Sequence, residues 1–329
     1  MNKQSPIKIA VIAYDGANAV DVFGPLQVFA SANEIHKSIH PEAFDIYEIE
    51  LFSLTQQQIK LHTGTRVLTN GLLVDLVQYQ ADTIMISGGN VASSLAEQPE
   101  IISQLLPIMN QARRVSSVCS GAFILAATGV MENRQATTHW ARYDEFSSRF
   151  PSITLNIDAL FTKDDKYYCS AGVTSGIDLS LHLIQEDYGH RIALETSREM
   201  VAFYHRPGGQ NQFSTIKTTG TARSDSIVLV QNWIDENLNK ILRVNQLAEM
   251  AAMSVRNFSR KFTLEIGLPP SRYIAKARFN KARLLLEENN TSMKRIAHLC
   301  GYENNEAFRR LFIRELNISP SEYRKRFHI

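Results

Sequence analysis

Cysteine is scarce in this chain: three residues, Cys119, Cys169 and Cys300, in 329. So few exclude a disulfide framework, and reduced thiols in a cytoplasmic protein are expected. Long apolar runs are also missing. The stretch 122–127 is far short of the ~20 residues a membrane-spanning helix needs, so no membrane partner is expected. The opening residues MNKQSP lead straight into a strand-like segment, and no signal peptide is read there. Metal-ligand spacing is absent as well. His298 and Cys300 have no second Cys/His pair near them, so both are expected to be packing residues, and neither a metal nor a cofactor is expected.

What is present is the composition of an ordinary soluble globular chain, 44% hydrophobic and 21% charged. The length suggests two domains. Net charge is only +2, but from Ser224 onward 18 Lys+Arg face 11 Asp+Glu, a net +7, which leaves −5 for the rest. A basic C-terminal part on an acidic N-terminal part fits a nucleic-acid contact confined to one end.

Residues 7–14, 82–87 and 115–118 are short buried-strand patterns, and 44–54 alternates as a strand. Helical spacing follows or intervenes at 21–33, 100–112, 121–128, 174–188 and 191–204. Strands alternating with helices imply crossover connections and a largely parallel sheet covered on both faces. Residues 205–223 are polar and turn-rich, the linker candidate. Beyond them the pattern is helical throughout. The expected architecture is therefore an α/β parallel-sheet sandwich over 1–204, the linker 205–223, and an all-α domain over 224–329.

The last hundred residues hold one short pattern twice. Phe258 and Phe308, Phe262 and Phe312, Pro270 and Pro320, Tyr273 and Tyr323 are each 50 positions apart. In the first copy Val244, Leu247, Ala248 and Ala251 share a helical face, Ser254 can cap the next helix, and Phe258 and Phe262 form an i, i+4 core pair. Arg256, Ser259, Arg260 and Thr263 are left outward. In the second copy Ser292 caps, Gly301 turns the chain, and Asn304, Asn305, Glu306, Arg309 and Arg310 are left outward. Arg and Asn can bind guanine and adenine bidentately. Each copy reads as a helix-turn-helix unit, and the amphipathic stretch 273–288 as a connecting helix able to hold two reading helices about 34 Å apart, one turn of DNA. Residues 225–328 resemble the AraC/XylS family of bacterial transcription regulators, whose signature is similar to the stretch 294–323. That resemblance implies a partner in double-stranded promoter DNA, with Arg256, Ser259 and Arg260 in one major groove and Asn305, Glu306, Arg309 and Arg310 in the next.

The second informative stretch is Val115-Ser116-Ser117-Val118-Cys119-Ser120-Gly121-Ala122. A strand runs into Cys, Ser-Gly and a helix, the pattern of an elbow that lifts a side chain off the end of a sheet. Backbone N–H groups after Cys119 can stabilise a thiolate or an oxyanion. Ala136-Thr137-Thr138-His139-Trp140 follows, Asp21 or Asp15 is the candidate acid, and Gly88-Gly89 can offer a further N–H to a bound oxygen. Cys, His and an acid are the parts of a nucleophilic site.

Residues 7–200 resemble the PfpI-like branch of the class I glutamine amidotransferase-like superfamily, a flavodoxin-like α/β fold. The resemblance makes Cys119 the elbow cysteine, His139 its neighbour and Asp21 the acid, an Asp in this place being typical of the isonitrile hydratase-like members. Joined to the C-terminal half, the whole is similar to the GlxA family of transcriptional regulators. Because the chain also carries a complete DNA-reading module, catalysis at Cys119, His139 and Asp21 is not expected; a small polar metabolite is expected at the carboxyl ends of the strands, among Asp21, Gly88, Gly89, Asn90, Cys119, Ser120, His139, Trp140 and Thr174. The resemblance implies a homodimer and the activation of nearby genes, and RNA polymerase is a further candidate partner. Two alternatives stay open on the residues alone: a thiol enzyme of the hydratase or amidase kind that binds DNA, and a redox sensor at Cys119.

Overall fold

A computed structural model describes residues 5–204, 210, 224–288 and 291–327. The chain divides into two compact units, Met1–Arg206 and Pro207–Ile329. The expected linker, apart from Gln210, lies outside the described residues.

The main sheet of the first unit has seven strands: β1 (Ile7–Ala13), β2 (Tyr47–Ser53), β3 (Gly71–Leu72), β4 (Thr83–Ile86), β5 (Arg114–Val118), β6 (Phe161–Asp164) and β7 (Tyr167–Ser170). Their order is β6-β7-β5-β4-β1-β2-β3. All pairs are parallel except the edge hairpin β6–β7, where Phe161 faces Ser170. β1 pairs with β2 from Ile7↔Tyr47 and with β4 from Ile9↔Thr83. Central strands covered on both faces read as unbroken Ile/Val runs, and from Ile9 to Ala13 every residue of β1 is buried. The chain goes from β1 outward to β2 on one side and returns to β4 on the other. That reversal leaves a crevice at the carboxyl ends of β1 and β4, the place where open α/β sheets take ligands.

Helix Ala19–Ile39 opens at the end of β1, capped by Asn18, whose side chain accepts from Val20 N. It packs on helix Thr174–Glu199. Sequence spacing predicts two helices over 174–204. The break is at Gly189 (φ 80°, ψ 174°), as expected, but the second piece ends at Glu199.

At the amino ends of the strands a buried ion pair ties the layers. Arg114 Nη2 meets Asp187 Oδ2 at 2.5 Å, and both side chains are 3% exposed. Arg114 Nε also donates to Thr83 Oγ1, and Tyr47 OH to Asp187. These polar groups are fully partnered, as burial requires.

Among the described residues the second unit is helical: Asp225–Glu236, Val244–Met250, Val255–Ile266, Pro270–Glu288, Met293–Leu299, Asn305–Leu316 and Pro320–Phe327. It has two hydrophobic cores. Phe258, Phe262 and Tyr273 belong to one, Phe308, Phe312 and Tyr323 to the other. Helix Pro270–Glu288 feeds both, giving Tyr273 and Ile274 to the first core and Phe279, Ala282 and Leu286 to the second. Among the described residues no helix is long and apolar enough to cross a membrane.

The duplication is structural as well as sequential. Ring centroids of Phe258 and Phe262 lie 5.4 Å apart, and those of Phe308 and Phe312 5.2 Å. Phe262–Tyr273 and Phe312–Tyr323 are 5.5 and 5.6 Å, both edge-on. Each tyrosine hydroxyl donates to a carboxylate, Tyr273 to Asp235 and Tyr323 to Glu287. A buried Tyr needs such a partner, which explains why Tyr recurs in both copies. Gly267 and Asn317, also 50 apart, end the two second helices in the left-handed conformation that favours these residues.

Sequence spacing missed two details here. The first helices are offset by 49 positions (Val244 to Met293) and the second by 50 (Val255 to Asn305). The second turn therefore holds one more residue. Asn304, expected to face outward, caps its helix: its Oδ1 accepts from Ala307 N. His298, expected to pack, is exposed, while Cys300 is fully buried.

Candidate functional site

β5 ends at Val118, and Cys119 turns the chain with φ 56°, a conformation that costs a residue bearing a Cβ. Helix Gly121–Ala127 starts two residues later. The bend is held from three sides. Cys119 N donates to Ser170 O (3.0 Å), Cys119 O accepts from Thr138 Oγ1 (2.8 Å), and Gly172 lies against the cysteine so closely that a Cβ there would be 2.2 Å from Cys119 Cβ. The next residue, Val173, also has a positive φ, 50°. A β-branched residue there is a true outlier, and such strain concentrates where a structure holds a functional group in place.

Asp21, not Asp15, is the acid beneath the thiol. It is fully buried, and its Oδ1 accepts from Val173 N at 2.7 Å. Its Oδ2 has no hydrogen-bond partner. A Cβ on Gly88 would be 2.5 Å from that oxygen and 2.6 Å from Cys119 Cβ, so only glycine fits between acid and thiol. Asp15 is exposed and pins a loop instead, accepting from Lys60 N and Gln56 Nε2.

Burial pushes the Asp21 carboxyl up to about 6, against the opposing pull of the Val173 N–H bond and, more weakly, of the nearby Cys119 thiol and Gly88 N–H. Burial also drives the Cys119 thiol far above its ordinary range, and the Asp21 charge adds to this, while the Ser120 N–H pulls the other way. Both effects keep the sulfur protonated at neutral pH. His139 is held down, first by burial and then by the charge of Arg142, so its ring is neutral at pH 7. Its Nδ1 accepts from Ala141 N at 3.3 Å, and it makes no hydrogen bond to Cys119. Cys, His and acid are thus brought to one place, but the sulfur and the imidazole are not coupled as a nucleophile and its base.

Burial of Asp21 also makes the stability of the first unit depend on pH. The folded carboxyl binds its proton up to about pH 6, and the unfolded one releases it near 3.8. Stability therefore falls as pH rises between those values. Asp21→Asn is expected to make the first unit more stable at pH 7.5, by up to ~3 kcal/mol, and to change little at pH 4. Urea denaturation at both pH values checks this. Equal effects at the two would contradict it.

Above the sulfur lies a pocket of about 440 Å³. Its wall comes from loops that follow β1, β4, β5 and β7: Asn18, Gly89, Asn90, Cys119, Ser120 and Val173. His62, His139, Ala141 and Arg142 complete it. Of the residues expected here, Gly89, Asn90, Cys119, Ser120 and His139 are on the wall. Asp21 and Gly88 lie behind it, under Cys119. Trp140 stacks on the His139 ring at 5.2 Å without reaching the wall, and exposed Thr174 yields its place to Val173, whose turned backbone puts it there instead. The N–H of Gly89 is not open to a ligand oxygen. It donates to Ser120 Oγ (2.9 Å), which donates back to Gly89 O (2.8 Å). Asn18, His62 and Arg142 are wall residues that sequence reading missed. Asn18 alone carried a signal there, as a cap before a helix.

The other candidate surfaces are the second helices of the two helical repeats. Ser254 caps the first by accepting from Asn257 N. Arg256 and Arg260 are exposed and Ser259 is half-buried. Arg260 donates to Asn257 Oδ1 (3.3 Å). In the second repeat Asn305, Glu306, Arg309 and Arg310 are all exposed, and Arg309 lies 3.8 Å from Glu306. Arg256 and Arg310 have no polar partner among the described residues. No group of His, Cys, Asp and Glu suited to a metal ion occurs among those residues either.

Comparison with known proteins fits both halves. The DJ-1/PfpI family matches residues 7–186, and a helix-turn-helix domain matches 247–326. The chain is 26% identical over 305 residues to the HTH-type transcriptional regulator CdhR of Pseudomonas aeruginosa, covering 93% of this chain and 87% of that protein. It is 24% identical over 269 residues to the HTH-type transcriptional regulator GlxA of Rhizobium meliloti, covering 80% and 82%. It is also 27% identical over 184 residues to the isonitrile hydratase of Pseudomonas putida, covering 56% and 73%. Among solved structures, Drosophila melanogaster DJ-1beta superposes with a TM-score of 0.52 at 16% identity, covering 61% of this chain and all of that one, a likeness of fold. The chain belongs to the DJ-1/PfpI family and carries a helix-turn-helix domain after it.

Proposed function

We propose that this protein is a transcription regulator that grips double-stranded promoter DNA with two helix-turn-helix units and answers to a small polar metabolite bound over Cys119. The observation that carries this reading is the matched pair of helical units. Second-helix caps and aromatic trios recur 50 positions apart, each Tyr is bonded to a carboxylate, and each second helix leaves arginines exposed. Two such helices suit successive major grooves. The likeness to proteins named HTH-type transcriptional regulators supports it.

In this reading Arg256, Ser259 and Arg260 enter one groove, and Asn305, Glu306, Arg309 and Arg310 the next. Arg310→Ala in the full chain is expected to weaken DNA binding. If it reads a base, it relaxes the preference there by roughly 1–3 kcal/mol. Titration against a panel of operator variants measures both, and unchanged affinity and preference would refute the assignment. The regulator works as a cytoplasmic homodimer and activates transcription with RNA polymerase. The metabolite acts by binding more tightly to one arrangement of the DNA-reading units than to another.

A second reading, a thiol enzyme, has the strained Cys119 elbow and the likeness to an isonitrile hydratase in its favour. We prefer sensing to chemistry because the thiol is held protonated and His139 is engaged with Ala141. Iodoacetamide separates the two. Slow labelling of Cys119 at pH 7, with Cys119→Ala still regulating normally, is expected. Rapid labelling and lost regulation would favour the thiol enzyme or a redox sensor.

A further inference from the structure

We propose that the pocket over Cys119 selects small carboxylates and that Arg142 is the residue that binds them; this rests on reading that pocket as the effector site. Of the residues that line it, Arg142 alone carries a fixed charge. No Asp, Glu, Phe, Tyr or Trp is on the wall, so an ammonium group would meet neither a carboxylate nor an aromatic face. It would meet a guanidinium instead. Asp21, the acid under the sulfur, is sealed beneath Cys119 with no exposed surface, and Glu145 reaches the pocket only through its bond to Arg142.

Arg142 is also held ready. Its Nη1 donates to Glu145 Oε2 at 3.2 Å, while Nε and Nη2 have no partner among the described residues. Glu145 is fixed from behind. Its other oxygen accepts from Ser93 Oγ, and Arg149 Nη1 donates to Ser93 O (3.1 Å) and Ser93 Oγ (2.5 Å). The Arg149 guanidinium in turn sits over the rings of Phe123 and Phe150, at 5.6 and 5.5 Å. The chain of contacts thus runs from the core to the pocket and ends in a planar fork with two donors to spare. A carboxylate accepts such a fork in two parallel bonds. The short helical turn Trp140–Arg142, capped by His139 Nδ1, delivers His139 and Arg142 to the same wall. Asn18, Asn90 and His62 add further hydrogen-bonding groups for the rest of a small polar molecule.

Titration calorimetry on the full chain tests this. The probes are glycolate, lactate and succinate, with glycolamide and ethanolamine as matched neutral and cationic molecules. At least one carboxylate is expected to bind, and more than tenfold more tightly than the amide or the amine. Arg142→Gln is expected to weaken that binding by ~10–100-fold. Arg142→Lys keeps the charge but loses the fork, and should fall between. The side chain of Arg142 is substantially exposed, so the unliganded melting temperature of both variants should match that of the parent. Binding of none of the three carboxylates, equal binding of amide or amine, or an Arg142→Gln variant that binds as the parent does would each overturn the proposal. The regulator reading is scored apart from it. A bound carboxylate that leaves DNA affinity unchanged counts against that reading while the anion site stands. A neutral or cationic ligand that changes DNA affinity does the reverse.

Discussion

Gly172→Ala is expected to destabilise the first unit by about 2–5 kcal/mol, the sum of overpacking and of a positive φ forced on a residue with a Cβ. The new methyl would lie 2.2 Å from Cys119 Cβ and 2.7 Å from both its Cα and its sulfur. These are not the loose ends of a flexible side chain. Cys119 is anchored by its N–H to Ser170 and by its carbonyl to Thr138, so neither partner can step aside cheaply. Gly129→Ala is the control. Gly129 also has a positive φ, 80°, but nothing within 4 Å of an added Cβ. It should cost only ~1–2 kcal/mol. Urea denaturation of the two variants side by side measures the difference, and equal losses would mean that the Cys119 cradle is looser than described.

Phe312→Ala is expected to cost about 3–5 kcal/mol in the second helical repeat. The ring is fully buried, with Phe308 and Phe279 centroids both at 5.2 Å and Tyr323 at 5.6 Å. Because the first repeat has a separate core, the damage should be local. Hydrogen exchange is expected to speed up in Met293–Leu299 and Asn305–Leu316 and to change much less in Val255–Ile266. Unchanged exchange across all three helices would contradict the assignment of Phe312 to the core.

These two residues mark the range of what could be read ahead of the fold. Phe312 was legible because a helical period and a 50-residue repeat together fix which face is inward, and that face was buried as expected. The parallel sheet was legible for a similar reason: runs such as IKIAVIA have no polar face and must be covered on both sides. The elbow at Cys119 was legible as a strand, a small-residue turn and a helix. The role of Gly172 was not, since it depends on two loops 53 positions apart meeting at the ends of neighbouring strands.

Contacts of that kind also decided which acid lies under the thiol. Asp15 and Asp21 both follow β1, and only the turn into helix Ala19–Ile39 buries one and exposes the other. The Gly89 N–H, open to a ligand by sequence, is taken up by Ser120 Oγ. His62 and Arg142 sit in stretches with no motif of their own and reach the pocket through tertiary packing. At the DNA-reading end the same lesson is smaller. One extra residue in the second turn hands the capping role to Asn304, and a strict 50-residue comparison hides this.

The most direct measurement is fluorescence anisotropy of the intact protein on duplexes from the promoters of the genes around its own and on scrambled duplexes, at several salt concentrations. Preference for the promoter sequence and affinity that falls steeply with salt are expected. Arg260→Ala and Arg310→Ala should each weaken that binding, since each belongs to a different reading helix. Binding that ignores sequence and salt, or that only one of the two arginines affects, would contradict a protein that reads DNA with both repeats.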